Sequence, residues 1–328
     1  MFKTDVSEYT IVGLDDKVYY RGKPSYFGVD EFSGDEVWVA DFSDFKTEGR
    51  YFIMANNEKS LCFSIAENVY QNAFFDITKA FYFLRCGKEL KEEYAGEFTH
   101  KACHNTLAVL YGEEDKSFDV SGGWHDAGDY GRYITAGACA LAHILFAYKM
   151  YPQKFENLNL NIPESKSRVP DVLEECRYEL QWFLKMQRED GGVYHKVTTM
   201  QHAPFIMPED DKKPLYIFPV SSMATADFAA ICAMASGIYK KFDTAFADKL
   251  IKAAKKAELW LDKNPEFLGF RNPEGCNTGP YGEWDDKDNR FWAYCELFLE
   301  TGEAIYHQKM EKYLEYDFDI AALGYGSV

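Results

Sequence analysis

The sequence predicts two successive folds, an all-β segment at the N-terminus followed by a longer all-α segment. Up to about residue 78, short β-branched and aromatic runs alternate with turn residues, as in the antiparallel strands of a β-sandwich. From about residue 69 onward, apolar residues recur at helical spacing. The chain has 328 residues, which is long enough for two domains.

Three runs in the first segment are predicted to be strands: residues 18–20, 37–40 and 50–54. Asp15-Asp16, Ser33-Gly34-Asp35 and Asn56-Asn57 separate these runs. Asp, Asn and Gly favour turns because their side chains bond the local backbone or allow a positive φ.

The second segment predicts about seven helices, which cover residues 69–89, 132–150, 170–188, 224–240, 244–262, 289–301 and 304–318. Pro170 suits the start of a helix, where its missing N–H is not needed. Gly87 and Gly302 suit helix ends. Four prolines exclude a helix from most of residues 193–230, and a segment of that length without regular structure predicts a functional loop.

Composition excludes several kinds of partner. The net charge of −17 argues against nucleic acid and against an anionic membrane surface. No run approaches the ~20 apolar residues that a membrane span requires. Asp5 and Glu8 stand where a signal peptide would be apolar, so we expect a cytoplasmic chain, or a secreted one whose leader was removed. The eight cysteines suit mostly free thiols, because several fall in helical apolar patterns.

Residues 119–133, DVSGGWHDAGDYGRY, contain the most informative motif. Asp126 and Asp129 lie three apart among four glycines, which allow tight turns that can aim two carboxylates into one space. Trp124 adds an aromatic surface of the kind that packs on the apolar face of a sugar. A glycine-rich loop with solvated acids is the alternative interpretation of the dipeptide pattern alone.

This stretch resembles the signature of glycoside hydrolase family 9, the inverting cellulases and cellodextrinases. Residues 40–53 also resemble the last strands of the immunoglobulin-like module of one branch of that family. The resemblance implies an immunoglobulin-like β-sandwich in residues 1–78 and an (α/α)6 barrel in residues 79–328. Since that barrel has twelve helices, we expect an incomplete barrel here. A second fragment or a partner chain would then supply the missing C-terminal part.

The resemblance also implies roles for the two aspartates. Asp129 corresponds to the general base, and Asp126 to the residue that helps to hold the attacking water. Inverting hydrolysis needs a second carboxyl group as acid, about 6.5–9.5 Å from the base. None of Glu274, Glu283, Glu296, Glu300 and Glu303 matches the family's acid, which is therefore expected outside this chain.

Four residues form a candidate metal site: Cys86, Cys103, His104 and His125. Two thiolates and two imidazoles suit tetrahedral zinc, although their spacing is not that of a zinc finger. The family resemblance implies a structural zinc ion at these positions. It implies calcium near Asp288 only weakly, because Asn289 replaces the usual acid.

Four residues are candidates for substrate binding: Trp124, Tyr281 and Trp284 for stacking on glucose rings, and His202 for a sugar hydroxyl. The predicted substrate is a β-glucan or cello-oligosaccharide. Alternatives are an exo-acting cellodextrinase or β-glucosidase, a truncated non-catalytic carbohydrate-binding relative, and a structural fragment that needs complementation.

Overall fold

The structure is a computed structural model that describes residues 6–316. The chain divides into two compact units, Met1–Asp76 and Ile77–Val328. None of the helices within the described residues is both long and apolar enough to cross a bilayer.

The first unit contains seven strands: β1 Tyr9–Gly13, β2 Val18–Gly22, β3 Ser25–Val29, β4 Glu36–Val39, β5 Gly49–Ala55, β6 Glu58–Lys59 and β7 Phe63–Ile65. One antiparallel sheet has the order β2-β1-β5-β6, with β7 also paired to β5, and β3 and β4 form a separate pair. Val6, Tyr9 and Ala55 are buried at its core. The structure therefore confirms the three predicted strands, and it adds four that are short or irregular.

Asn56 and Asn57 make the two-residue turn between β5 and β6. Their φ angles are +48° and +63°, the values that a tight hairpin turn of this twist requires. The turn predicted from these two residues is confirmed.

The second unit is mainly helical. Its helices, with the one that leads into it, are α1 Gln71–Phe83, α2 Glu92–Ala95, α3 Ile134–Met150, α4 Pro152–Phe155, α5 Asp171–Met186, α6 Ser222–Tyr239, α7 Thr244–Lys263, α8 Lys287–Thr301 and α9 Ala304–Glu311. Helix α6 is buried on nearly every side and packs against α3, α7 and α8. A helix that is apolar all round belongs at the centre of a large core. The helix predicted for residues 304–318 ends at Glu311, and residues 317–318 lie outside the described part.

A small sheet that the sequence did not predict lies beside these helices. Its strands are β8 Ala108–Leu110, β9 Glu113–Phe118, β10 Arg132–Tyr133, β11 Lys196–Thr198 and β12 Tyr216–Ile217, in the order β10-β11-β12-β8-β9. The prediction of a helix from residue 132 was wrong by two residues, since Arg132 and Tyr133 pair with β11. The prediction that residues 193–230 lack regular structure before the next helix was also wrong. Four of the five strands have only two or three residues, too short to show an alternating pattern, and every residue of β9 is exposed.

Candidate active site and metal centre

The loop of residues 119–133 is fixed along one side by the chain that follows α1. The backbone N–H of Cys86 donates to the Gly123 carbonyl at 2.8 Å, and that of His125 donates to the Leu84 carbonyl at 2.7 Å. These bonds pair Trp124 with Arg85 in an isolated β-bridge and fix the backbone of His125, which precedes Asp126.

Two buried side chains, those of Glu179 and Arg132, also bind this loop. Glu179 on α5 accepts the backbone N–H of Trp124 at 2.5 Å. Burial is the largest cause that raises the pKa of the Glu179 carboxyl. Gly123 has φ +77°, and a Cβ there would meet the Trp182 ring at 2.8 Å and the Glu179 carboxylate at 2.9 Å. This position therefore requires glycine. Arg132, itself buried, donates to two carbonyls of the loop at 2.5 and 2.8 Å.

Each loop aspartate is bound by a tyrosine hydroxyl. Tyr133 donates to Asp129 Oδ2 at 2.6 Å, and Tyr281 donates to Asp126 Oδ2 at 2.5 Å. The backbone N–H of Gly131 donates to Asp129 Oδ1 at 3.1 Å. The two tyrosine rings meet edge to face, with centroids 4.6 Å apart. Asp126 and Asp129 are thus held by a pair of rings that contact each other.

The two carboxylates lie in different electrostatic surroundings. Burial raises the pKa of Asp126, the charge of Asp129 adds to the increase, and the hydrogen bond from Tyr281 opposes it. Burial and the neighbouring Asp129 raise the pKa of the Tyr133 hydroxyl, so that this group remains a donor at neutral pH. The half-exposed His202 places Nδ1 3.7 Å from Asp129 Oδ2.

A cavity of about 640 Å³ opens beside Asp126. Trp124, Tyr281, Glu283 and Asp227 also line it. The pKa of Glu283 is raised to about 9 and that of Asp227 to about 8. Burial is the largest cause for both groups, and the charges of neighbouring acidic side chains add to it. Both groups are therefore protonated at neutral pH.

The predicted stacking residues lie in three different settings. Trp124 is 5% exposed, and its indole N–H donates to Glu175 Oε1 at 2.8 Å. The hydroxyl of Tyr281 binds Asp126. Trp284 is 89% exposed and does not line the cavity, although Arg271 lies over its ring. The structure thus brings Tyr281 and His202 to the two aspartates, and the contact of any of the four with sugar stays a prediction.

Cys86, Cys103, His104 and His125 form a buried cluster. One potential ligand atom from each lies within 4.8 Å of the others. His125 Nε2 is 3.2 Å from His104 Nδ1 and 3.9 Å from Cys103 Sγ. Four such donors in one compact group fit a tetrahedral metal ion with an all-protein ligand set.

The surroundings of the cluster also suit a metal ion. His104 Nε2 lies 3.5 Å from Asp211 Oδ2, both side chains being buried. A carboxylate behind a histidine fixes the ring so that its other nitrogen faces the metal. Burial opposes ionisation of Cys86, but its hydrogen bond with Cys103 and the nearby Arg132 lower the pKa of the Cys86 thiol. That hydrogen bond, followed by burial, raises the pKa of Cys103.

Asp288 lies in the first turn of α8. Among the described residues it belongs to no group of three or more His, Cys, Asp or Glu side chains close enough to share an ion. Burial raises the pKa of this carboxyl. A calcium ion at Asp288 therefore stays a prediction.

Several residues that shape the site carried no recognisable sequence pattern. Glu179 lies on the buried face of an ordinary amphipathic helix, and Tyr133 ends the motif of residues 119–133 without having been predicted as a partner of Asp129. His195 and Lys196, which contact the chain just before Tyr281, lie in a segment whose prolines predicted only a loop. Their roles depend on contacts with residues 80 or more positions away.

Two family models match this chain. One, described as "Cellulase N-terminal ig-like domain", matches residues 2–60, and the other, "Glycosyl hydrolase family 9", matches residues 70–325. A cellodextrinase of Butyrivibrio fibrisolvens is 47% identical over 319 residues, which are 95% of this chain and 58% of that protein. Endoglucanase D of Acetivibrio thermocellus is 36% identical over 335 residues, which are 97% of this chain and 53% of that protein.

Solved structures of similar enzymes also match most of this chain. The family 9 endoglucanase J30 superposes with a TM-score of 0.91 at 33% identity, covering 98% of this chain and 62% of that one. A zinc-binding triple mutant of J30 gives a TM-score of 0.90 at 35% identity, again covering 98% and 62%. AaCel9A in complex with cellobiose-like isofagomine gives 0.89 at 33%, covering 98% and 60%. The chain spans between half and two thirds of the length of these relatives.

Proposed function

The chain belongs to glycoside hydrolase family 9, in the branch with an N-terminal immunoglobulin-like domain, and we propose that it hydrolyses β-1,4-glucosidic bonds in cellulose or cellodextrins with inversion. Its helical unit has the fold of the family's (α/α)6 barrel over the part that this chain spans. The observation that carries the proposal is the pair of loop aspartates, each bound by one tyrosine hydroxyl, of which Asp126 lines a cavity of about 640 Å³.

Asp129 is the proposed general base. A general base must be held within reach of the water whose proton it takes. Two hydrogen bonds, from the Gly131 N–H and the Tyr133 hydroxyl, hold the carboxylate of Asp129 in place. Asp126 is the proposed partner that orients the nucleophilic water, since its carboxyl lines the cavity and retains an oxygen that Tyr281 does not bind.

The general acid is proposed to be a glutamate outside this chain, on the polypeptide that completes the barrel. Glu283 is the alternative within the chain. It lines the same cavity as Asp126, and burial raises its pKa to about 9, so it would hold a proton at neutral pH. Replacing Glu283 with Gln separates the two: a loss of about 10²–10⁴-fold in turnover would assign the acid to Glu283.

Soluble cellodextrins are the proposed preferred substrate. Support comes from the relative that is 47% identical, which is named a cellodextrinase. A non-catalytic carbohydrate-binding function is the second candidate, because the chain spans 58% of that relative and no acid is assigned within it.

We propose that Cys86, Cys103, His104 and His125 bind a structural zinc ion. The buried cluster and its carboxylate neighbour Asp211 support this assignment, as does the likeness to a solved structure described as a zinc-binding mutant. Four protein ligands leave no position open for substrate, so the metal would be structural. It would tie the end of α1 to the residue that precedes Asp126.

The test is turnover of cellotetraose by the purified chain, with the anomeric form of the fresh product followed by proton NMR. Asp129→Ala is expected to lower kcat by at least about 10²-fold. Asp119→Ala is the matched control, since this loop acid is exposed and its partners are Ser121 and Lys185. Turnover that survives in Asp129→Ala contradicts the assignment of the base. Cellotetraose binding without turnover by the unaltered chain would favour the non-catalytic function.

A further inference from the structure

Tyr281, which binds Asp126, has an unfavourable backbone conformation. Its φ is +42°, in the left-handed region that bulky side chains rarely adopt. Such a conformation is strained, and it persists where surrounding contacts over-determine it. Those contacts come from two buried residues at the start of β11, His195 and Lys196.

Lys196 holds the segment that precedes Tyr281. This lysine is fully buried, and its ammonium donates to Asn272 Oδ1 at 2.7 Å, to Thr278 Oγ1 at 2.9 Å and to the Gly279 carbonyl at 2.8 Å. An ammonium has three N–H donors, so this arrangement uses all of them on one stretch of chain. Burial lowers the pKa of Lys196 to about 8.

His195 holds the residue directly before Tyr281. The imidazole is fully buried, with Nε2 2.8 Å from the Pro280 carbonyl and Nδ1 2.9 Å from Ser221 Oγ. Because a carbonyl can only accept, Nε2 carries the proton and Nδ1 accepts from the serine hydroxyl. The ring stacks on Phe270 with centroids 4.1 Å apart, which fixes its orientation. Burial lowers the pKa of His195 to about 3, so the ring is neutral.

The anchored segment contacts both loop aspartates through the two tyrosines. The backbone N–H of Gly279 donates to the Tyr133 hydroxyl at 3.1 Å, and that hydroxyl donates to Asp129. Two residues later, the Tyr281 hydroxyl donates to Asp126. Lys196 therefore binds the carbonyl of the same residue whose N–H orients the hydroxyl on Asp129.

We propose that His195 and Lys196 are positioning residues for glycoside hydrolysis, which fix residues 272–281 so that Tyr281 and Tyr133 hold Asp126 and Asp129 in place. The inference rests on the proposed function for its effect on turnover. Its structural part, the anchoring of residues 272–281, can be measured without turnover.

The variants are Lys196→Met, Thr278→Val and the pair His195→Leu and His195→Gln. Thr278→Val keeps the side-chain volume while removing one acceptor of the ammonium, so it remains informative where Lys196→Met fails to fold. A glutamine can place an N–H close to the position of Nε2, so His195→Gln is expected to restore what His195→Leu loses. Lys79→Met is the control, because Lys79 is also buried and donates to a single distant carbonyl, that of Asn161.

Two measurements are made on each protein. Hydrogen exchange followed by mass spectrometry is expected to show faster exchange in peptides that cover residues 270–285 and 124–133, with other peptides unchanged. Steady-state kinetics on cellotetraose are expected to show kcat lower by about 10–100-fold, as small displacements of reacting groups cause, with KM within about threefold. The Lys79→Met control is expected to change neither.

The outcomes separate this inference from the proposed function. Loss of thermal stability in Lys196→Met and Thr278→Val, with unchanged exchange in residues 270–285 and unchanged kcat, would show a merely structural role and overturn the inference. Absence of turnover in the unaltered chain would count against the proposed function alone. The exchange data would still support or reject the anchoring. Equal kcat losses in His195→Leu and His195→Gln would refute the role of the bond to Pro280.

Discussion

Tyr281→Phe tests the contact on which the proposed site most depends. The change removes one hydroxyl that lies 2.5 Å from Asp126 Oδ2, and it leaves the ring packed edge to face on Tyr133. A hydrogen bond to a charged group contributes about 1.5–3 kcal/mol. Since 1.36 kcal/mol corresponds to one pKa unit, the pKa of Asp126 should rise by about 1–2 units. Burial already raises the pKa of Asp126 in the unaltered chain.

The same bond makes stability depend on pH, and the sign follows from its effect on the pKa. The bond favours the ionised carboxylate, so its contribution to the free energy of unfolding is present above the pKa of Asp126. That contribution disappears as the pH falls through the pKa. Tyr281→Phe should therefore cost about 1.5–3 kcal/mol near pH 7 and much less near pH 3.

The assay is a pH titration of the side-chain carboxyl carbon resonance of Asp126 by NMR, with urea unfolding at the two pH values. Tyr130→Phe is the control. It removes a tyrosine hydroxyl of the same loop that donates to a backbone carbonyl, that of Ile206, and to neither carboxylate. An unchanged Asp126 titration in Tyr281→Phe, or an equal shift in Tyr130→Phe, would refute the reasoning.

Three further predictions concern the surroundings of the site. Asp211→Asn should weaken zinc binding by about 10–100-fold, because it removes the carboxylate behind His104; competition with a chromophoric chelator measures the change. For Asp227, the raised pKa of about 8 means that the folded chain retains a proton which the unfolded chain loses above about pH 4. The free energy of unfolding should therefore fall as pH rises between about 4 and 8. Asp227→Asn should flatten that fall and stabilise the protein at pH 8 in urea titrations at several pH values; an unchanged slope would contradict it. Arg85→Met should cost about 3–5 kcal/mol in denaturant unfolding, since it removes the positive charge that pairs with the buried Glu175 carboxylate. Lys185→Met, which removes the exposed ion pair with Asp119, provides the comparison and should cost about 0–1 kcal/mol.

The sequence predicted those parts of the fold that depend on local patterns. The long helices α5 and α7 have one apolar face, and their ends fall within two residues of the prediction. The cysteine and histidine cluster was predicted as a group, and the structure brings its members together. The small sheet was missed because β10 and β12 have two residues each, and their pairing partners are distant in sequence.

In the candidate site, too, residues that are close in sequence could be predicted together, whereas contacts between distant residues could not. Asp126 and Asp129 could be found because they share one short loop. Tyr281 was chosen for its aromatic face, and the bond from its hydroxyl to Asp126 was not predicted because it joins residues 155 positions apart. Trp124 was chosen for the same reason, but Glu175 binds its indole N–H and little of the ring is exposed. Residue type indicates which contacts a side chain can make, and only the tertiary fold determines which of them it makes.

The three-residue spacing of the two aspartates lets one loop hold each of them against different hydrogen-bond donors. Between them the chain turns back, with the Tyr130 N–H bound to the Ala127 carbonyl and the Asp126 N–H bound to the Gly131 carbonyl. The turn leaves Asp129 with a backbone donor and a tyrosine, whereas Asp126 lines the cavity and is bound by Tyr281. Burial raises the pKa of Asp126. The anchors on either side of the turn therefore hold each carboxylate against its own donors, as the proposed division between base and assistant requires.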